Sequence, residues 1–208
     1  MLADKKQLYR KLLSPKFFME NEPLEFSPQR FVYDILIYDG DLEQELGALL
    51  IERGELNNKQ LEQIAREKET IHACNKPDKI MKLLLKKFEV ISGAALIEKA
   101  LEYEDEVIPK VVERLMRNNH DTFIENAIKL LEKRQKDYSP QLIERFEEIQ
   151  SPYVRSLVCL VIGLRAEAEV IPWMMDRYLE MKKIDTEESC EQGPLLALYE
   201  FRERLYSS

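Results

Sequence analysis

The stretch EVIPKVVERL, Glu106 to Leu115, recurs sixty-three residues later as EVIPWMMDRYL, Glu169 to Leu179. A third copy opens between them at Tyr138 and reads YSPQLIERF. Aligned on proline, the three are Pro109-Lys-Val-Val-Glu-Arg-Leu115, Pro140-Gln-Leu-Ile-Glu-Arg-Phe146 and Pro172-Trp-Met-Met-Asp-Arg-Tyr178. Each has Pro, a variable residue, two apolar residues, an acid, Arg and a final apolar residue, at spacings of 31 and 32. A constant period in this range marks a chain built from stacked supersecondary units.

Each column has a physical reason. Proline belongs in the first turn of a helix, where its missing N–H has no partner to lose, and Ser139 stands ready to cap the helix at Pro140. The acid lies early, toward the positive end of the helix dipole. The apolar pair and the later apolar residue give one inward face. The acid–Arg pair reads as a solvated or repeat-bridging salt bridge.

A second helix is expected after each first one. The turn Asn118-Asn119-His120-Asp121 leads into TFIENAIKLLEK, and Gln150-Ser151-Pro152 leads into YVRSLVCLVIGLR. A longer acidic loop, Ile184 to Gly193, leads into PLLALYEFRERL. Upstream, DKIMKLLLKKF (Asp78 to Phe88) followed by SGAALIEKALEYE reads as a degenerate fourth pair, as terminal repeats often are. Neither helix of such a pair can bury its apolar face alone, so neighbouring pairs must supply the burial.

The segment PQLIERFEEIQSPYVRSLVCLVIGLRAEAEVIP resembles a short HEAT repeat of the bacterial kind. Val154-Arg155 and Ile162-Gly163-Leu164 stand where that family places Val-Arg and Leu-Gly on its second helix, and the likeness extends over roughly residues 77–206. The turn Asp of the family is Asp121 in one repeat and Ser151 in the next, and Val-Arg is replaced by Ile124-Glu125 in the first. The resemblance implies an all-α fold, a right-handed α-α superhelix (HEAT-like solenoid) behind a helical N-terminal segment. Residues 1–76 would be a helical N-terminal segment or a cap packed on the solenoid, and residues 77–208 would form the HEAT-like repeat domain, with repeats at about 77–104, 106–137, 138–168 and 169–206.

Four helices are expected before the repeats: residues 4–13; Ser27-Pro28 through Tyr38; LEQELGALLIER after a turn and cap at Asp39-Gly40-Asp41; and Asn57-Asn58 to about His72, after a helix stop at Gly54. Residues 14–26 read as a loop or extended segment with aromatic anchors. The run LGALLIERGELNNKQLEQIAREKE is similar to a helix-turn-helix hairpin in N-terminal domains of type II secretion ATPases, with Glu45 and Lys68 at its polar ends where that family has Arg and Gln. Read from the residues alone, it is two amphipathic helices joined by a Gly-terminated turn.

Composition limits the chemistry. A net charge of −8 disfavours phosphate backbones unless positive charges gather in one place. Three widely spaced cysteines, Cys74, Cys159 and Cys190, imply neither a disulfide framework nor a zinc motif. With two histidines and six glycines, no metal cluster, phosphate loop or catalytic set is assembled, and no cofactor is expected. The N-terminus carries no apolar signal segment and no run is long enough to span a bilayer, so a cytoplasmic chain without membrane insertion is expected.

What remains is surface. In HEAT-like stacks the second helix of each pair lines the concave side, so the resemblance implies that Asn126, Lys129, Lys133, Tyr153, Arg155, Tyr199 and Arg202 meet a protein or peptide partner there. Trp173 occupies an otherwise polar column, as an exposed anchor or a contact with the C-terminal helix. The leading expectation is a non-catalytic interaction scaffold. The alternatives are a HEAT-like nucleic-acid-binding or DNA-repair protein, requiring Lys129, Lys133, Arg134 and Arg155 to form a basic stripe, and a bilin-lyase-like enzyme.

Overall fold

The computed structural model describes residues 2–117, 120–184 and 188–207, with the backbone alone for residues 2–4 and 38–46. Among the described residues it is all-α, with twelve α-helices and no strand. In chain order these are α1 (Leu2–Leu12), α2 (Pro15–Glu20), α3 (Pro28–Glu52), α4 (Asn58–His72), α5 (Pro77–Leu83) and α6 (Val90–Leu101). They continue as α7 (Glu104–Leu115), α8 (Asp121–Lys133), α9 (Ser139–Glu144), α10 (Pro152–Arg165), α11 (Ile171–Met181) and α12 (Gln192–Ser207). Short 3₁₀ turns at Phe146–Glu148 and Ala168–Val170 follow α9 and precede α11.

The chain forms two compact units. A central unit spans Asp34–Lys136, and a terminal unit joins Met1–Tyr33 to Asp137–Ser208. Sequence periodicity placed one division at residues 76/77. The two units meet along the chain after Tyr33, inside α3, and after Lys136, and α1 packs on α11 in the terminal unit. No local pattern in residues 1–33 encodes that contact.

In the central unit, α5 packs on α7, while α6 packs on both α4 and α8. The pairs α5–α6 and α7–α8 close as hairpins between these two rows. Helix α7 shows why the sequence folds this way. Glu104, Val107, Ile108, Val111, Val112 and Leu115 are its buried residues, spaced at three and four like one face of an α-helix. Helix α8 answers with Phe123, Ile124, Ala127, Ile128, Leu130 and Leu131. The buried Glu104 carboxylate accepts hydrogen bonds from the backbone N–H groups of Gln135 (3.1 Å) and Lys136 (2.8 Å), fixing the chain where it leaves α8. Ion pairs Asp78–Lys110 and Asp105–Lys136 join residues about one repeat length apart.

In the terminal unit α10 is the central element. It is buried on all sides from Ser156 through Gly163, as expected of a helix apolar all round, and it touches α9, α11 and α12. The Ser156 hydroxyl donates to the Cys190 carbonyl (2.5 Å) and accepts from the Gly193 N–H (3.2 Å). A Cβ added at Gly193 would meet the Ser156 carbonyl oxygen at 2.0 Å, and one at Gly163 would meet the Ala197 Cβ at 2.2 Å. These close approaches rise together along both helices, so α10 and α12 run in the same sense.

Helix ends were partly readable. Gly54, at φ 65°, closes α3, with Gly54 N–H donating to the Ile51 carbonyl and Glu55 N–H to the Leu50 carbonyl. Asn57 caps α4 in a reciprocal pair with Gln60, Ser27 accepts from the Arg30 N–H, and Ser151 caps α10. Four expectations need correction. The backbone runs helically through Asp39-Gly40-Asp41 without a turn. Residues 14–26 contain α2, capped by Ser14, and of their aromatic residues Phe18 is buried while Phe26 is 87% exposed. Ser139 is the first residue of α9 rather than its N-cap, which is Tyr138, and the Ser139 N–H donates to the Asp137 carboxylate (2.9 Å). Pro140 and Pro172 lie in first turns, but Pro109 sits inside α7, because Glu104, Asp105 and Glu106 already start that helix. Pro109 is exposed there, opposite the buried stripe. The turn expected at Asn118-Asn119 falls outside the described residues, as does part of the acidic loop before α12.

Candidate functional site

The outer faces of α6 and α8 meet at a pocket of about 150 Å³ in the central unit. Helix α6 supplies Val90, Gly93, Ala94 and Ile97, a face set by spacings of three and four. Helix α8 supplies Thr122, Glu125, Asn126, Lys129, Glu132 and Lys133, the face opposite its core stripe. The α5–α6 turn adds Lys86, Lys87 and Phe88, and α3 adds Ile35 and Leu36. The floor is thus apolar and the rim charged, with four lysines against two glutamates.

Two details shape it. The Asn126 amide donates to the Leu84 carbonyl (3.0 Å), tying α8 to the end of α5. Gly93 removes a side chain from the floor, where an added Cβ would find nothing within 4 Å. On the rim, Lys129 lies 3.4 Å from Glu125 across one helical turn. Lys86 and Lys87 are exposed, and among the described residues neither enters an ion pair.

Three residues expected at a partner face, Asn126, Lys129 and Lys133, therefore do line one pocket. The other four lie in the terminal unit and are engaged there. Arg155 donates to the carbonyls of Ile149 (2.7 Å) and Glu147 (3.0 Å) and lies 5.7 Å from the Phe146 ring, so it holds the turn after α9. Tyr153 is half-buried on the first turn of α10. The Tyr199 hydroxyl donates to the carbonyls of Phe18 and Asn21, and its ring packs edge-on against Phe18. Burial, and then the charge of Glu22, raise the Tyr199 pKa above its ordinary value. Arg202 lies over the Phe18 ring at 4.7 Å.

Trp173 is half-buried and packs edge-on against Phe146 at 5.0 Å, with Arg177 beside both rings. Among the described residues its aromatic ring partner is Phe146. The acid–Arg column serves different ends in each copy. Arg177 bridges back to Glu147 (2.5 Å) and pairs with Glu180, Arg145 forks onto Glu148, and Arg114 lies over Phe123. The basic stripe required for a nucleic-acid face loses Arg134, which is 1% exposed and bonded to the Leu131 carbonyl.

Lys86, Lys87 and Gly93 escaped sequence reasoning. Their signals were a dibasic end to a lysine-rich stretch and a glycine inside an apolar helix. A second concavity, in the terminal unit, is lined by Asn21, Tyr178 and Lys182, but these groups satisfy one another. The Asn21 side-chain oxygen accepts from the Tyr178 hydroxyl (2.5 Å) and from Lys182 (2.6 Å). Among the described residues no helix is long and apolar enough to cross a membrane. No protein-family model, curated protein or solved structure matches the chain.

Proposed function

We propose that this chain is a non-catalytic scaffold of the α-solenoid kind, HEAT-like in its repeats, that holds a peptide segment of a partner protein against α6 and α8. The observation that carries this reading is the convergence of Asn126, Lys129 and Lys133 on one apolar-floored pocket with Gly93. Further support comes from the packing of α6 on α4 and α8, and of α10 on α12, the arrangement of second helices in a stack of helix pairs. A concave, mostly apolar floor with a few placed polar groups is the usual form of a binding site.

Panning a random peptide library tests the reading, with Gly93→Met as the counter-selection target. Methionine at this position would extend into the open floor. Peptides that bind the parent protein and lose at least about tenfold in affinity for Gly93→Met support it. Absence of enrichment, or equal binding to both proteins, overturns it.

A further inference from the structure

We infer that the pocket on α6 and α8 takes an acidic–apolar peptide motif, with one apolar side chain on the floor at Gly93 and carboxylates at Lys86 and Lys87. This rests on the peptide-binding reading above and adds the chemistry of the occupant. The floor residues Val90, Ala94, Ile97 and Phe88 offer no charge to a ligand. A space of about 150 Å³ is the size that accepts a benzene-scale group, so one Leu or Phe side chain fits and an extended chain does not. Specificity must then come from the rim.

The rim is positive although the protein as a whole carries −8. Between Lys76 and Lys87 the chain has five lysines and a single acid, Asp78, which is paired with Lys110. The last two of these lysines reach the pocket mouth. Exposed lysines contribute little as isolated salt bridges. Around an apolar slot they select instead, drawing in carboxylates and repelling cations as the partner approaches. An acidic surface surrounding a local positive rim also disfavours nucleic acid, which would have to cross that field.

The test uses the whole chain and fluorescein-labelled short peptides with a central Leu or Phe flanked on both sides by Glu, by Lys or by Ser. Fluorescence anisotropy should rank Glu above Ser above Lys, and the Glu peptides should weaken as salt rises. Replacing Lys86 and Lys87 together by Glu should cost the Glu peptides about tenfold and favour the Lys peptides, with circular dichroism and thermal midpoint unchanged. Equal binding of all three sets, or preference for Lys, overturns the acidic motif while leaving a peptide site in place. Failure of every set, together with an unenriched random library, overturns the peptide site itself. Displacement of the Glu peptides by a single-stranded oligonucleotide at lower concentration than by unlabelled Glu peptide also overturns the inference.

Discussion

Gly163 of α10 and Ala197 of α12 touch backbone to backbone: a Cβ on Gly163 would stand 2.2 Å from the Ala197 Cβ and 2.5 Å from its Cα. Gly163 is therefore a crossing point between the two helices. Gly163→Ala should destabilise the chain by about 1–3 kcal/mol, the usual cost of overpacking, measured by urea unfolding. Adding Ala197→Gly removes the nearer clash but not that with the Cα, so it should restore only part of the loss. An unchanged midpoint for Gly163→Ala would refute the close crossing.

Gly93 should respond in the opposite way. It lies inside α6 with open space where a side chain would go. Gly93→Ala should stabilise by roughly 0.5–1 kcal/mol, through reduced freedom of the unfolded chain. A thermal midpoint that falls would mean that the floor of the pocket is occupied.

Glu104 holds two backbone N–H groups beyond α8 from a buried position. Glu104→Ala should cost about 1.5–3 kcal/mol, as for bonds to a charged acceptor. Glu104→Gln keeps an acceptor oxygen and should lose less. Equal losses for the two variants would show that packing, not the hydrogen bonds, is what Glu104 contributes.

All three cysteines are buried, and burial pushes the Cys159 thiol far above its ordinary value, against the weaker opposing pull of Arg177 and Arg155. The thiolate is the reactive form. Iodoacetamide at neutral pH should leave the native protein unlabelled and modify all three positions in denaturant, read by intact mass. Prompt labelling of Cys159 in the native state would contradict its place in α10.

The raised pKa of Tyr199 sets an alkaline prediction. The folded state holds this proton more tightly than the unfolded chain, whose tyrosines titrate near pH 10.0. The resulting stability is present below that pH and is lost as pH rises through the folded-state value. Tyr199→Phe should therefore lose stability less steeply above pH 10.0, although it starts lower for want of the hydroxyl's bonds to Phe18 and Asn21. Parallel alkaline limbs in urea titrations would remove the assignment.

The helical class was legible because periodicity is a local property. The α7 stripe from Val107 to Leu115 can be read directly from residue spacing. Gly54 and Asn57 were legible for a related reason, since each meets a demand made within one turn. Pro109 misled because alignment on proline assumed a helix start, while the acids before it had already begun the helix. Asp39-Gly40-Asp41 misled because one glycine costs a helix only about 1 kcal/mol, too little to interrupt the 25 residues of α3. On the candidate site, Asn126, Lys129 and Lys133 share a helix face by their spacing, and the family resemblance is what pointed to that face. Lys86, Lys87 and Gly93 join them only after the α5–α6 turn has folded beside α8, which no window of sequence contains.

Asp78 with Lys110, Asp105 with Lys136 and Glu147 with Arg177 each join positions 30 to 32 apart. Such ties work as a gauge on chain length. One residue inserted ahead of Lys110 within α7, or ahead of Arg177 within α11, turns that partner by about 100° off its face. A single residue added in the first turn of α7 or α11 is thus a change these ties reject.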